Sequence, residues 1–298
     1  MAETQIKKHK AIRKGVQAGW GILSNGYFRG FLTASIYKGP LKNFCVPGMN
    51  CYSCPGALGA CPIGAMQSVF DAGKRRFSFY VAGYLAALGL LAGRFICGWL
   101  CLFGLMEELL YMIPVPKIRV PEKVDKILRF FKYVFLFLFV FALPFFYRSD
   151  LGTGEPFFCK YICPVGTLEG GIPLVLMNRA MRSAAGVLFR WKFAILIVCL
   201  VACMFVYRPF CKYVCPLGAF YSLFQKVSFL KMSFDERLCV HCGTCAGICR
   251  MNADPVENPN SAECIRCGEC VKACPKAALS FGTSNNHNAC PECAKKAD

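Results

Sequence analysis

Histidine is nearly missing from this chain. Its 298 residues hold three, His9, His241 and His287, and none lies in an apolar block. Haem b inside a helical bundle needs a facing pair of histidines, so it is excluded. No Cys-x-x-Cys-His occurs, which excludes covalently attached haem c. No glycine-rich nucleotide fingerprint follows an expected strand. Acidic residues are also few, 17 against 35 lysines and arginines, for a formal charge of +18. The basic residues are scattered beside apolar blocks and form no recognisable nucleic-acid module, so no nucleic acid is expected as partner. Beside apolar blocks they set topology and meet anionic lipid.

What abounds is apolar surface and cysteine. Hydrophobic residues make up 56% of the chain, with 27 phenylalanines and 22 cysteines, and mean hydropathy is +0.43. That points to a membrane protein. Disulfide scaffolds are short and secreted, so that class does not fit.

The cysteines are densest in CVHCGTCAGIC, from Cys239, and CIRCGECVKACP, from Cys264. Each is a Cys-x2-Cys-x2-Cys-x3-Cys run. This doubled rhythm is that of a bacterial ferredoxin with two 4Fe-4S clusters, in which the fourth cysteine of each run crosses to the other cluster. Cys239, Cys242, Cys245 and Cys274 are therefore expected to hold one cluster. Cys264, Cys267, Cys270 and Cys249 are expected to hold the other. Zinc sites have no need of eight cysteines in this rhythm. Arg250 stands where a proline often follows the first run, which weakens the expected turn there.

The rest divides into a basic head (1–15), a transmembrane domain with Cys-rich loops (16–230), the ferredoxin domain (231–282) and a polar tail (283–298) carrying Cys290 and Cys293. No signal-peptide cleavage pattern follows the head. Four spans are expected, at 16–37, 77–96, about 130–147 and 187–207. The first contains Arg29 and several glycines, and a re-entrant or interfacial segment is its alternative. The fold class is thus an all-α polytopic membrane bundle with a C-terminal α+β two-cluster ferredoxin domain. Four spans put both termini on one side, and the positive-inside rule makes that side cytoplasmic. Lys74, Arg75, Arg76, Arg179 and Arg182 on the outer loops weaken the rule here.

Three Cys-x3-Cys pairs recur at span ends, in ICGWLC, FCKYICP and FCKYVCP. Cysteines four apart on a helical turn share a face and supply two corners of a cluster. Cys97, Cys101, Cys211 and Cys215 fall on the cytoplasmic side and are expected to hold a third cluster; a structural or redox dithiol pair is the alternative. Cys45, Cys51, Cys54, Cys61, Cys159 and Cys163 fall outside. One cluster is expected among them, with Cys51, Cys54, Cys159 and Cys163 slightly preferred over Cys45, Cys51, Cys54 and Cys61. The spare pair is left for a disulfide or for a site shared by two chains. Cys199 and Cys203 lie inside the last span. They either pack the helix or form a mid-membrane redox site completed by a second protomer, since two surface clusters connect poorly across ~30 Å of hydrocarbon. Glu107, Glu108, Glu155 and Glu169 at span ends are interfacial charges or quinone-linked proton carriers.

GRFICGWLC, CKYICPVG, CKYVCPLG and the doubled ferredoxin run together resemble the membrane-bound polyferredoxin family, with its NapH-type and NosR-type members. NCYSCPGALGACPIGA resembles the YccM-type branch. Leu102 departs from the proline usual after the first Cys-x3-Cys, and the flavin-binding domain of NosR-type proteins is missing from the chain. The resemblance implies a multi-pass protein of the bacterial cytoplasmic membrane with a cytoplasmic ferredoxin domain. It implies electron transfer between a ferredoxin-like donor or the quinone pool and an extracytoplasmic redox partner. The leading expectation is a wire of 4Fe-4S clusters. The alternatives are a quinol dehydrogenase subunit with bound quinone, and an accessory factor that reduces a metal or thiol during maturation of another complex.

Overall fold

The computed structural model describes residues 2–68, 79–147 and 155–282. The polar tail with Cys290 and Cys293 lies outside the described residues, as do Lys74, Arg75 and Arg76.

Helix α1, Ala2–Ser24, runs unbroken through the expected basic head and into the first expected span. It stops where polar side chains turn back on its last carbonyls. Ser24 Oγ donates to Trp20 O and Gly21 O, and Asn25 Nδ2 donates to Gly21 O, a competition with the helical ladder that ends helices. A short helix, Arg29–Thr33, follows and closes on Ala34 in the left-handed region. Residues 16–37 are therefore two pieces rather than one rod. Arg13 and Gln17 are buried, so α1 packs a polar stripe against the protein.

Helix α2, Phe79–Ala92, has 14 residues, about 21 Å; part of the expected 77–96 span, residues 77 and 78, lies outside the described residues. Helix α3 is Leu102–Tyr111. Among the described residues, two helices are long and apolar enough to cross a membrane: α4, Glu122–Phe146, and α5, Val187–Phe205. Residues Phe135–Ala142 of α4 wind more widely, as a π-helix. Both helices expose much of their apolar surface, including Phe130, Phe137, Phe146, Val187 and Val198. The first half of α4, Glu122–Val134, is charged and amphipathic, whereas its Phe135–Ala142 part and α5 beyond Lys192 are apolar on every side, as helix surfaces in a core or in lipid are.

The C-terminal module is closed by strands β1, Lys231–Phe234, and β2, Leu279–Gly282, paired antiparallel with Phe234 opposite Leu279. Met232, Phe234, Val256, Ala278 and Leu279 form its small core. The module sits directly on the bundle. A Cβ at Gly98 would lie 2.3 Å from Ile265 O, so only glycine permits this approach. Trp99 Nε1 donates to Arg266 O, Arg266 donates to Ala92 O and Gln225 Nε2 donates to Cys264 O.

Candidate metal centres

In the module, one cavity is lined by Cys239, Cys242, Cys245 and Cys274. A second is lined by Cys249, Cys264, Cys267 and Cys270. The two runs repeat the same turn chemistry. His241 and Gly243 in one, Arg266 and Gly268 in the other, adopt positive φ, which turns their amides inward. His241 N–H donates to Cys239 Sγ and Arg266 N–H to Cys264 Sγ, each at 3.4 Å. Asn252 and Ala277, three residues after Cys249 and Cys274, share φ of 51°. The turn after the first run therefore matches the second although Arg250 replaces proline. The Cys242 end is exposed, while the second cavity faces the bundle.

Within the bundle, Cys97, Cys101, Cys211 and Cys215 line one cavity, with Gly48, Met49, Phe103, Glu107 and Phe210 around them. Cys97 and Cys101 lie on and just after a short helix, Phe95–Trp99, and Cys211 lies on another, Pro209–Tyr213. Gly218 N–H donates to Cys215 Sγ at 3.4 Å, and the Gly104 amide donates to Cys101. Burial pushes the Cys101 thiol up to about 11. The Cys211 thiol, by contrast, is held well down by its hydrogen bond with Cys97 and by the Arg94 guanidinium. Four cysteines lining one buried cavity match the donor set of an iron–sulfur cluster, whose positive irons favour the thiolate form.

Four of the six remaining loop cysteines form one group. Cys51, Cys61, Cys159 and Cys163 all interact electrostatically with one another. A Cβ at Gly166 would meet Cys51 Sγ at 3.8 Å and Cys163 Sγ at 4.0 Å, and one at Gly64 would meet Cys159 Sγ at 3.8 Å and Cys61 Cβ at 3.9 Å. Cys54 faces Lys42 and Glu169 instead. Cys45 neighbours Cys61 from a bridge with Ala60. The structure thus gathers Cys61, rather than Cys54, with Cys51, Cys159 and Cys163. A signal for this was present in the sequence. Cys61-Pro-Ile-Gly64 repeats the pattern of Cys163-Pro-Val-Gly166 and Cys215-Pro-Leu-Gly218, and in all three the glycine amide donates to the cysteine sulfur.

Buried ion pairs tie these sites together. Arg94, fully buried, donates to Glu263 Oε2 at 2.8 Å, and its Nη2 approaches Cys211 O at 3.3 Å and Cys211 Sγ at 3.7 Å. Lys132 of α4 donates to the other Glu263 oxygen. Arg13 of α1 grips Glu108 with two bonds of 2.8 Å and reaches Glu269 of the module. Arg208 donates to Glu108 and to Cys97 O. Burial pushes the Glu108 carboxyl up, but Arg208 and Arg13 outweigh it and hold it at about 2. None of the four span-end glutamates is a loose interfacial charge. Glu107 accepts from the amides of Phe210 and Cys211, Glu169 accepts from the Cys51 amide at 2.7 Å, and Glu155 pairs with Lys160. Cys203 Sγ lies 3.8 Å from Glu107, which places the Cys199/Cys203 pair beside the Cys211 site. Arg94 and Asn50 stand inside GRFICGWLC and NCYSCPGALGACPIGA but nothing in those motifs marked them, and Glu263 lies outside any motif; their placement comes from packing.

A family model described as a 4Fe-4S binding domain matches residues 81–121, 131–172 and 189–234. A second model of the same description matches residues 258–280. The Methanocaldococcus jannaschii protein MJ0749 is 32% identical over 220 residues, 71% of this chain and 74% of its own length. Its neighbour in similarity, MJ0750 of the same organism, is 34% identical over 203 residues, 66% of this chain and 75% of its own. YccM of Escherichia coli, named for electron transport, is 26% identical over 201 residues, 65% of this chain and 52% of its own. The chain therefore spans about half the length of YccM. No solved structure matches.

Proposed function

We propose that this chain, which belongs to the polyferredoxin-like family of membrane-associated 4Fe-4S electron-transfer proteins, is a wire with four cluster sites. The reading rests above all on one observation: three separate cavities are each lined by four cysteines. The ligand sets are Cys239/Cys242/Cys245/Cys274, Cys249/Cys264/Cys267/Cys270, Cys97/Cys101/Cys211/Cys215 and Cys51/Cys61/Cys159/Cys163. A bound cluster supplies one-electron oxidation and reduction. The chain's own residues hold it, exclude water and set its charge environment. Arg94 beside Cys211 and Arg208 behind Cys97 bring positive charge to a site rich in thiolates, and such outer contacts tune metal centres strongly.

The exposed Cys242 edge of the module is the entry point for a ferredoxin-like cytoplasmic donor. The Cys249 set hands on to the bundle across the Gly98–Ile265 contact. The Cys51 set is the exit toward an extracytoplasmic acceptor. In this reading α4 and α5 cross the cytoplasmic membrane and both termini face the cytoplasm.

Anaerobic iron and sulfide analysis of the purified chain tests the wire, followed by titration with a reduced ferredoxin. Four clusters per chain, all reducible, are expected. Iron for two clusters alone would sink the bundle sites. Rapid oxidation of a menaquinol analogue in place of reduction by ferredoxin would replace the cytoplasmic end of the wire with a quinol site.

A further inference from the structure

The two groups of bundle cysteines are both reached from one helix, α5. Lys192 Nζ donates to Cys159 O, and Cys203 on the same helix touches Glu107 beside the Cys211 site. Eleven residues of helix separate Lys192 from Cys203, about 17 Å of rise, against ~30 Å of hydrocarbon. The Cys199/Cys203 pair sits at one end of this interval rather than in its middle.

The segment between the two sites is Gly48–Cys51. Gly48 and Met49 line the cavity of Cys97, Cys101, Cys211 and Cys215. A Cβ at Gly48 would stand 3.2 Å from Cys101 Cα and 3.3 Å from Leu100 O, so backbone touches backbone. Three residues later, Cys51 belongs to the other group. The Met49 amide donates toward the Cys101 sulfur and the Asn50 amide toward the Cys61 sulfur. Adjacent peptides thus serve different centres. Tyr221, fully buried, pins the segment by donating to Pro47 O at 2.8 Å. Asn50 is 3% exposed, yet both polar atoms of its side chain lack a partner among the described residues. A buried amide left unmet is unfavourable, and a cluster sulfide, being an acceptor, would satisfy its Nδ2 donor.

We propose that Gly48–Cys51 is the bridge that couples the two bundle centres, with the Asn50 side-chain amide as its hydrogen-bonding contact to cluster sulfide. This rests on the ligand sets given above. In each event the Cys97/Cys101/Cys211/Cys215 centre is oxidised by one electron and the Cys51/Cys61/Cys159/Cys163 centre is reduced by one. No bond to the protein forms or breaks and no proton moves. The electron originates from a low-potential one-electron donor at the module.

The test uses the full chain, purified anaerobically and reduced with dithionite. Iron content, electron paramagnetic resonance of the reduced clusters and the rate at which the second bundle centre is reduced are read together. Asn50→Ala and the isosteric Asn50→Asp, which lacks the donor, should keep wild-type iron. They should alter the spin–spin interaction between the two bundle signals and slow transfer about tenfold or more, the range for loss of an outer contact at a metal site. Cys199→Ser/Cys203→Ser should leave the rate unchanged. The proposal is overturned if both Asn50 variants keep the wild-type rate and line shape. It is also overturned if both lose iron from one centre, or if the Cys199/Cys203 variant alone slows transfer. Failure of the ligand sets is seen separately: Cys61→Ser and Cys101→Ser would then leave iron content untouched.

Discussion

The ferredoxin module and the bundle present the same kind of cysteine site built in two ways. In the module the ligands are neighbours in sequence, each run folded by positive-φ turns that aim amides at sulfur. Its outer cavity opens to solvent, with Cys242 exposed. In the bundle each site joins residues more than a hundred positions apart, as Cys97 does with Cys211 and Cys51 with Cys159. Those sites are largely buried, and buried arginines and glutamates hold the elements that carry them. Local chemistry suffices for the module, whereas the bundle sites exist only if the helices pack. A single lost packing contact should therefore hurt the bundle far more than the module.

The largest expected effect is at the bundle ligands. Cys211→Ser should remove one cluster's worth of iron and, with it, reduction of the Cys51 centre, while Cys242→Ser should leave the bundle signals intact. Equal loss of all clusters from both variants, read by iron analysis and paramagnetic resonance, would erase the contrast. Next in size is Gly98→Ala. Its Cβ would collide with Ile265 O, so the module should lift from the bundle. Module clusters should stay reducible while the bundle centres fall out of contact.

Glu108→Gln comes third, because it leaves Arg13 and Arg208 buried without their shared carboxylate. Removing one partner of such a buried set costs about 3–5 kcal/mol, readable as a lower unfolding temperature in detergent. The same residue gives a pH signature. Its folded pKa of about 2 lies below the ordinary glutamate value of about 4.3. The stability it contributes is present above that ordinary value and is lost as pH falls through about 2. The variant should lack this acid-side decline between roughly pH 4.3 and 2. Smallest is Cys54→Ser, expected to keep wild-type iron, whereas Cys61→Ser loses a cluster. The reverse result would restore Cys54 to the outer set.

Much of this was legible beforehand. The ferredoxin run reads directly because cluster-binding turns are local: a few residues decide which sulfurs face one cavity. The Cys-x3-Cys repeats were legible for the same reason, as a helical turn puts positions four apart on one face. The two long apolar helices follow from composition. The first expected span did not survive as a single rod, because Ser24 and Asn25 turn back on the helix end and no periodicity announces that.

By itself, then, the sequence determined the cofactor class, the eight-cysteine module and the existence of half-sites at helix ends. Only the tertiary structure decided which half-sites meet. It brought Cys61 to Cys51, set Arg94 between Glu263 and Cys211, and laid Gly48–Cys51 between the two groups of bundle cysteines. The physical reason is range. Turn geometry and hydrogen bonds to sulfur act within a few residues, while the convergence of positions 49, 101 and 215 depends on how whole helices pack.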